Sequence, residues 1–182
     1  MSPKPKQSSD NPTLELMKHQ KVGVFVDAQN MYHSAKNLYK SRVNFAEILK
    51  QAVGGRQLIR AFAYAIKTES GEEKAFLEAL QKAGFELKVK DLQIFPGGLK
   101  KGDWDVGLAI DAISLSEQLD AVIIVSGDGD FEPLMEYLKF KGLIVETMGF
   151  RRSTSAKAVE AAHNFIDLEE YADNILLRKG KR

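Results

Sequence analysis

AVIIVSGDGDFEPLMEYLKFKGLIVETM, residues 121–148, decides the fold. AVIIV, 121–125, is an apolar run rich in β-branched side chains and closed by the turn residues SGDGD, which is how a strand buried on both faces reads. A helix is expected from Asp130 to Phe140, with Pro133 tolerated in its first turn. LIVETM, 143–148, is the next strand. Strand, helix and strand at this spacing make a βαβ unit, whose crossover forces the strands parallel and the helix onto the sheet face.

The same rhythm extends toward the N-terminus. KVGVFVD, 21–27, is a first strand, apolar on both sides, and a helix follows from near Asn30 to Tyr39. Asn44 and Glu47 have capping-box spacing and open a helix that stops at Gly54-Gly55. LIRAFAYAI, 58–66, is strand two. EEKAFLEALQKAG, 72–84, carries Ala75, Leu77 (or Phe76), Leu80 and Ala83 at helical spacing. A third strand over Phe85 to Val89 leads into a loop rich in Gly and Lys, DLQIFPGGLKKG, 91–102. From Asp103 to about Leu119 a helix is expected, with Val106, Leu108 or Ala109, Ile110 and Ile113 inward. Short helical stretches around 155–163 and 168–177 flank Phe165-Ile166. The expected architecture is a Rossmann-like, three-layer α/β fold with a mostly parallel sheet of about five strands and helices on both faces.

With 182 residues, 44% of them hydrophobic, one domain buries roughly two thirds of its unfolded surface without disulfide or metal staples. That domain is expected over 14–177, between a polar tail at 1–13 and the basic RKGKR at 178–182. Lys plus Arg number 26 against 25 for Asp plus Glu, so any nucleic-acid affinity must come from a local patch. The absence of cysteine excludes thiol nucleophiles, Cys-ligated zinc and disulfide frameworks. No membrane span or signal peptide is legible, and a cytoplasmic address is expected.

Six aspartates, Asp27, Asp103, Asp105, Asp111, Asp128 and Asp130, sit at the carboxyl end of an expected strand or in the helix entered from that edge. Sites form at that edge in open α/β sheets. Asp27 ends strand one and Asp128 lies three residues past strand four, so their carboxylates converge if those strands are neighbours. Asp105, opening a helix from the same edge, closes the cluster. Crowded carboxylates persist only with a proton, a cationic side chain or a metal. Oxygen ligands without His or Cys select Mg²⁺ or Mn²⁺, ions that bind phosphate oxygens and activate water for phosphodiester hydrolysis.

Local structural roles compete with these readings. Asp130 is well placed as a helix N-cap, Asp128 can shape its Gly-Asp-Gly turn, and Asp103 and Asp105 suit the positive end of a helix. Asn30 is a cap or a ligand and substrate contact; Ser126 bonds a nearby carboxylate or only the turn. Asp111, six positions beyond Asp105, is about 240° further round the helix and reads as a contact to backbone or a cation. His19, His33 and His163 lack metal-ligand spacing. Neither phosphate-binding glycine loop follows strand one.

FVDAQN, KKGDWDVGLAID and VSGDGDF, in this order, resemble the NYN domains, the LabA-like branch of the PIN-like ribonuclease superfamily. The resemblance covers about residues 21–168. It implies a PIN-like sheet whose acids bind divalent metal and cleave RNA, with Asp27 as the strand-one acid and Asn30 its companion. Asp105 matches the acid of the K-G-x-D-like motif, Asp128 and Asp130 the strand-four acids, and Asp111 a commonly acidic position. The expected function is therefore a metal-dependent endoribonuclease in which Asp27, Asp105 and Asp128 hold Mg²⁺ or Mn²⁺ and Asp130 assists. Lys100, Lys101, Arg151 and Arg152 lie at the same edge as candidate contacts to the RNA backbone, and a homodimer is compatible with such a domain. A non-catalytic RNA-binding or regulatory module is the alternative. Haloacid-dehalogenase-like phosphatases share GDGD and an Asp after strand one, but their chemistry needs a second acid at position 29, where this chain has Gln.

Overall fold

The computed structural model describes residues 17–68, 73–98 and 100–177, and omits the side chains of Lys100 and Lys101. Both expected tails, 1–13 and 178–182, lie outside the described residues. The first half of the chain runs through β1 (Lys21–Asp27), α1 (Ala28–Tyr39), β2 (Arg42–Val43), α2 (Phe45–Val53), β3 (Gln57–Lys67), α3 (Lys74–Lys82) and β4 (Glu86–Asp91). A small hairpin, β5 (Gln93–Ile94) with β6 (Lys100–Lys101), leads to α4 (Asp105–Leu115), β7 (Ala121–Val125), α5 (Glu132–Phe140) and β8 (Ile144–Gly149). The chain continues through α6 (Ala156–Ala161), β9 (Asn164–Asp167), α7 (Ala172–Ile175) and β10 (Leu176–Leu177).

Six strands form one sheet in the order β4-β3-β1-β7-β8-β9, with every neighbouring pair parallel. The chain builds outward from β1 in one direction, returns, and builds outward from β7 in the other. This is the dinucleotide-fold order, and its reversal point lies between β1 and β7, where the carboxyl ends of the strands open a crevice. The count is six rather than about five because Asn164–Asp167, expected only as a break between helices, pairs with β8 through Glu146 and Asn164 to Gly149 and Asp167.

Side chains alternate across the two central strands. Val22, Val24 and Val26 of β1, with Ala121, Ile123 and Val125 of β7, pack against Met31 and Ala35 of α1, Ile48 of α2 and Leu80 of α3. Phe25, Val122 and Ile124 face the other way, onto Leu108 and Ala112 of α4 and Leu134, Met135 and Leu138 of α5. Each fully buried aliphatic side chain contributes about 1.5–3 kcal/mol, so the two layers together hold the strand ends rigid. Among the described residues no helix is long and apolar enough to cross a membrane.

Two local features differ from expectation for clear reasons. Helix α1 begins at Ala28, earlier than Asn30, because the Asp27 carboxylate accepts the Asn30 N–H at 3.0 Å and caps the first turn. Helix α4 turns a different face inward. Leu108, Ala112 and Leu115 are buried, whereas Val106 and Ile110 are 69% and 57% exposed and Ile113 is also exposed. Apolar residues occupy both faces of this helix, so periodicity alone could not choose between them.

Candidate active site

Strand β1 delivers Asp27 to the crevice directly from the core. Its neighbours Val26 and Ala28 are fully buried, and burial pushes the Asp27 carboxyl up to about 6, against the lowering effect of the Asn30 N–H. The charges of Asp105 and Asp128 push it further in the same direction. Asp105 opens α4, where the helix dipole favours an acid. Its carboxyl is nonetheless raised, first by burial and then by Asp103, Asp128 and Asp130, with Lys90 opposing.

The turn after β7 supplies the other two acids. Asp128 accepts the Asp130 N–H at 2.9 Å and caps a short 3₁₀ turn, Gly129–Phe131, that runs into α5. One carboxylate oxygen from each of Asp105, Asp128 and Asp130 lies within 4.8 Å of the other two. Asp27, Asp105 and Asp128 line a common cleft of about 180 Å³ with Gln29, Asn30, Ile66, Gly102, Asp103 and Trp104. Among the described residues none of the four acids has an ion-pair partner within 4 Å. Convergent, partly desolvated oxygen donors without an ion-pair partner fit a hard divalent ion.

The walls are fixed by contacts distant in sequence. Asn30 accepts the Gly127 N–H at 3.0 Å through its side-chain oxygen, tying α1 to the β7 turn. Gly127 has no room for a side chain, since a Cβ there would lie 2.5 Å from the Ser153 carbonyl oxygen. Its own carbonyl accepts the Ser155 N–H at 2.8 Å, so the 153–155 segment clamps the acid-bearing turn. Across the cleft, Trp104 donates to the Ala65 carbonyl at 2.8 Å and lies over Gly107, whose Cβ would meet the indole at 2.6 Å.

The remaining sequence-selected residues are placed differently from one another. Ser126 is fully buried beneath the turn, where its hydroxyl accepts the Asp128 N–H at 3.2 Å. Asp111 lies outside the cleft, accepting from the Tyr64 hydroxyl at 2.9 Å and pairing with Lys88 at 3.4 Å. Burial and that hydrogen bond keep the Tyr64 phenol protonated. Arg151 pairs with Asp167 at 3.2 Å and stacks over Phe165, while Arg152 pairs with Glu169 at 3.1 Å and lies over Tyr39. The backbones of Lys100 and Lys101 form β6 just ahead of the cleft residue Gly102, and their side chains lie outside the description. His163 has a structural role, accepting the Val145 N–H at 3.0 Å.

Sequence reasoning passed over Gln29 and Trp104 as parts of the cleft, and it placed Asp103 at this edge only as one of six aspartates, suited to a helix end. Gln29 donates to the Ile66 carbonyl at 3.1 Å, which fixes its amide at the cleft wall. Its signal was its place two residues after Asp27, on the first turn of the helix that Asp27 caps.

Residues 21–169 match the NYN domain family. The low amplitude and bright protein LabA of Synechococcus elongatus is 22% identical over 165 residues, spanning 82% of this chain and 84% of LabA. A crystal structure of a protein of unknown function from Vibrio parahaemolyticus superposes with a TM-score of 0.79 at 34% identity, covering 88% of this chain and 98% of that one.

Proposed function

The chain belongs to the NYN domain family, and on that footing we propose that it is a metal-dependent endoribonuclease that hydrolyses RNA phosphodiester bonds. The observation that carries this reading is the convergence of Asp105, Asp128 and Asp130 beside Asp27 at the sheet's reversal point, with no ion-pair partner within 4 Å among the described residues. Asp27, Asp105 and Asp128 hold Mg²⁺ or Mn²⁺. When bound, such an ion neutralises phosphate charge and makes water a competent nucleophile at neutral pH.

The chain's own groups do the rest. Asp130, exposed at the rim, orients the attacking water. Asn30, whose side-chain oxygen is committed to Gly127, keeps an N–H₂ group for a phosphate oxygen. The Trp104 and Gln29 hydrogen bonds hold the cleft walls, so the acids need not reorganise when substrate arrives. Lys101, on the hairpin leading into Gly102, supplies backbone attraction for the RNA. Gln29 offers no acid for a phosphatase, since a carboxamide has no proton to give at neutral pH.

The test is cleavage of end-labelled single-stranded RNA with Mn²⁺, Mg²⁺ or chelator. Cleavage is expected with metal and absent with chelator, and Asp128→Asn is expected to slow it by about 10²–10³, the range for removing one electrostatic stabiliser. RNA that is bound yet intact under both metals would leave a binding module in place of an enzyme.

A further inference from the structure

Beside the acid cleft, and sharing Gln29 with it, lies a second cavity of about 240 Å³ lined by Gln29, Tyr32, His33, Glu73 and Phe76. Pockets for drug-sized ligands start at about 300 Å³, so this one suits a single planar ring system. Its walls are aromatic and set at steep angles. Tyr32 meets Phe76 edge-on at 5.8 Å and His33 edge-on at 5.4 Å, and Phe76 is anchored in turn against Phe45 at 5.6 Å. Two side chains add hydrogen-bonding capacity. Gln29 spends one N–H on Ile66 and keeps its carbonyl oxygen and second N–H. Glu73 accepts from the Thr68 hydroxyl, which holds its carboxyl below the usual range and keeps it an anionic acceptor. Lys36 sits 5.5 Å from the centre of the Tyr32 ring, placing a cation at the margin.

We propose that this cavity receives the nucleobase of the nucleotide adjoining the scissile phosphate, stacked on one of the rings of Tyr32 and Phe76 with the other edge-on to it, and read along its polar edge by Gln29 and Glu73. The cavity and the acid cleft meet at Gln29, so one nucleotide places its base in the first and its phosphate in the second. The position relative to a scissile bond rests on the ribonuclease reading. Affinity for a base does not, because it needs neither metal nor cleavage.

The test is therefore made in chelator, by titrating isotope-labelled full-length protein with AMP, GMP, CMP, UMP and ribose 5-phosphate while following backbone amide resonances. At least one nucleotide is expected to move the signals of Gln29, Tyr32, His33 and Phe76 and to bind about fivefold or more tighter than ribose 5-phosphate, the lower end of base–aromatic stacking. His33 is exposed, so His33→Ala spares the core and is expected to weaken nucleotide binding without changing that of ribose 5-phosphate. Glu73→Gln is expected to change the ranking of the four bases. Equal binding of ribose 5-phosphate, or shifts that leave these four residues still, would overturn the proposal. RNA cleavage that persists without base binding would strike the pocket alone, and base binding without cleavage would strike the ribonuclease reading alone.

Discussion

The two ends of the central strands carry similar residues in opposite circumstances. At the amino edge a cavity of about 550 Å³ is lined by Ser116, Glu117, Leu119, Asp120, Lys141, Gly142, Leu143 and Ile144, three times the volume of the acid cleft. Asp120 there is fully employed. Its carboxylate accepts the Lys21 N–H at 2.7 Å, its N–H donates to the Lys21 carbonyl and its carbonyl accepts the Ile144 N–H, stitching the starts of β1, β7 and β8 together. At the carboxyl edge, Asp27 also accepts a backbone N–H, yet it faces two further acids and a raised pKa. Volume does not separate the two ends; unbalanced charge does.

The sharpest way to break this contrast is to remove the charge at Asp27. Its folded pKa near 6 lies above the ordinary 3.8, so the folded protein takes up the proton first as pH falls. The ionised group opposes folding above pH 6, and that cost disappears between about pH 6 and pH 4. In chelator at pH 7.5, Asp27→Asn is expected to be more stable than the parent by up to roughly 3 kcal/mol, the advantage closing near pH 4, by urea unfolding at both values. Asn caps a helix nearly as well as Asp. A variant that is less stable at both pH values would reduce Asp27 to its cap.

Metal addition probes the same imbalance from the other side. Mn²⁺ at a hundredfold excess over Kd is expected to stabilise the parent by about 2.7 kcal/mol and Asp128→Asn by much less, read as the increment in Tm. An equal increment in both would remove Asp128 from the site. At the amino edge the expected effect is smaller: Asp120→Ala costs about 1 kcal/mol through the lost hydrogen bond and leaves the Mn²⁺ increment unchanged. A reduced increment would mean that the two ends are coupled through β1 and β7.

The smallest effect concerns the arginines. Arg151 and Arg152 are already held by Asp167 and Glu169. Replacing both by Ala is expected to flatten the log–log salt dependence of single-stranded RNA binding by less than ~0.7, below one phosphate contact. A loss near ~1.4 would show that both leave their carboxylates for the RNA.

How much of this was legible in the sequence follows from the range of each interaction. The apolar runs 22–26 and 121–125 announce buried strands, and an aspartate just past each places charge at one edge, because those signals are local. The inward face of α4 was not legible, since Val106 and Ile110 are as apolar as Leu108. Strands β5, β6 and β9, of two, two and four residues, are too short for a two-residue period to register. The cleft walls depend on Asn30 reaching Gly127, 97 residues away, and the Arg151 side chain is taken up by Asp167, 16 residues on. Such partners are set by topology, which no spacing rule reads.

The clamp on Gly127 also sets a timetable. Chains are synthesised from the N-terminus and fold as they emerge. When residue 130 has left the ribosome, all four acids have been made, yet the turn holding two of them still lacks the 153–155 backbone against which it rests. The cleft is consequently among the last parts of the molecule to acquire its shape. A nascent chain carries all four acids in an unassembled state until the 153–155 segment has docked.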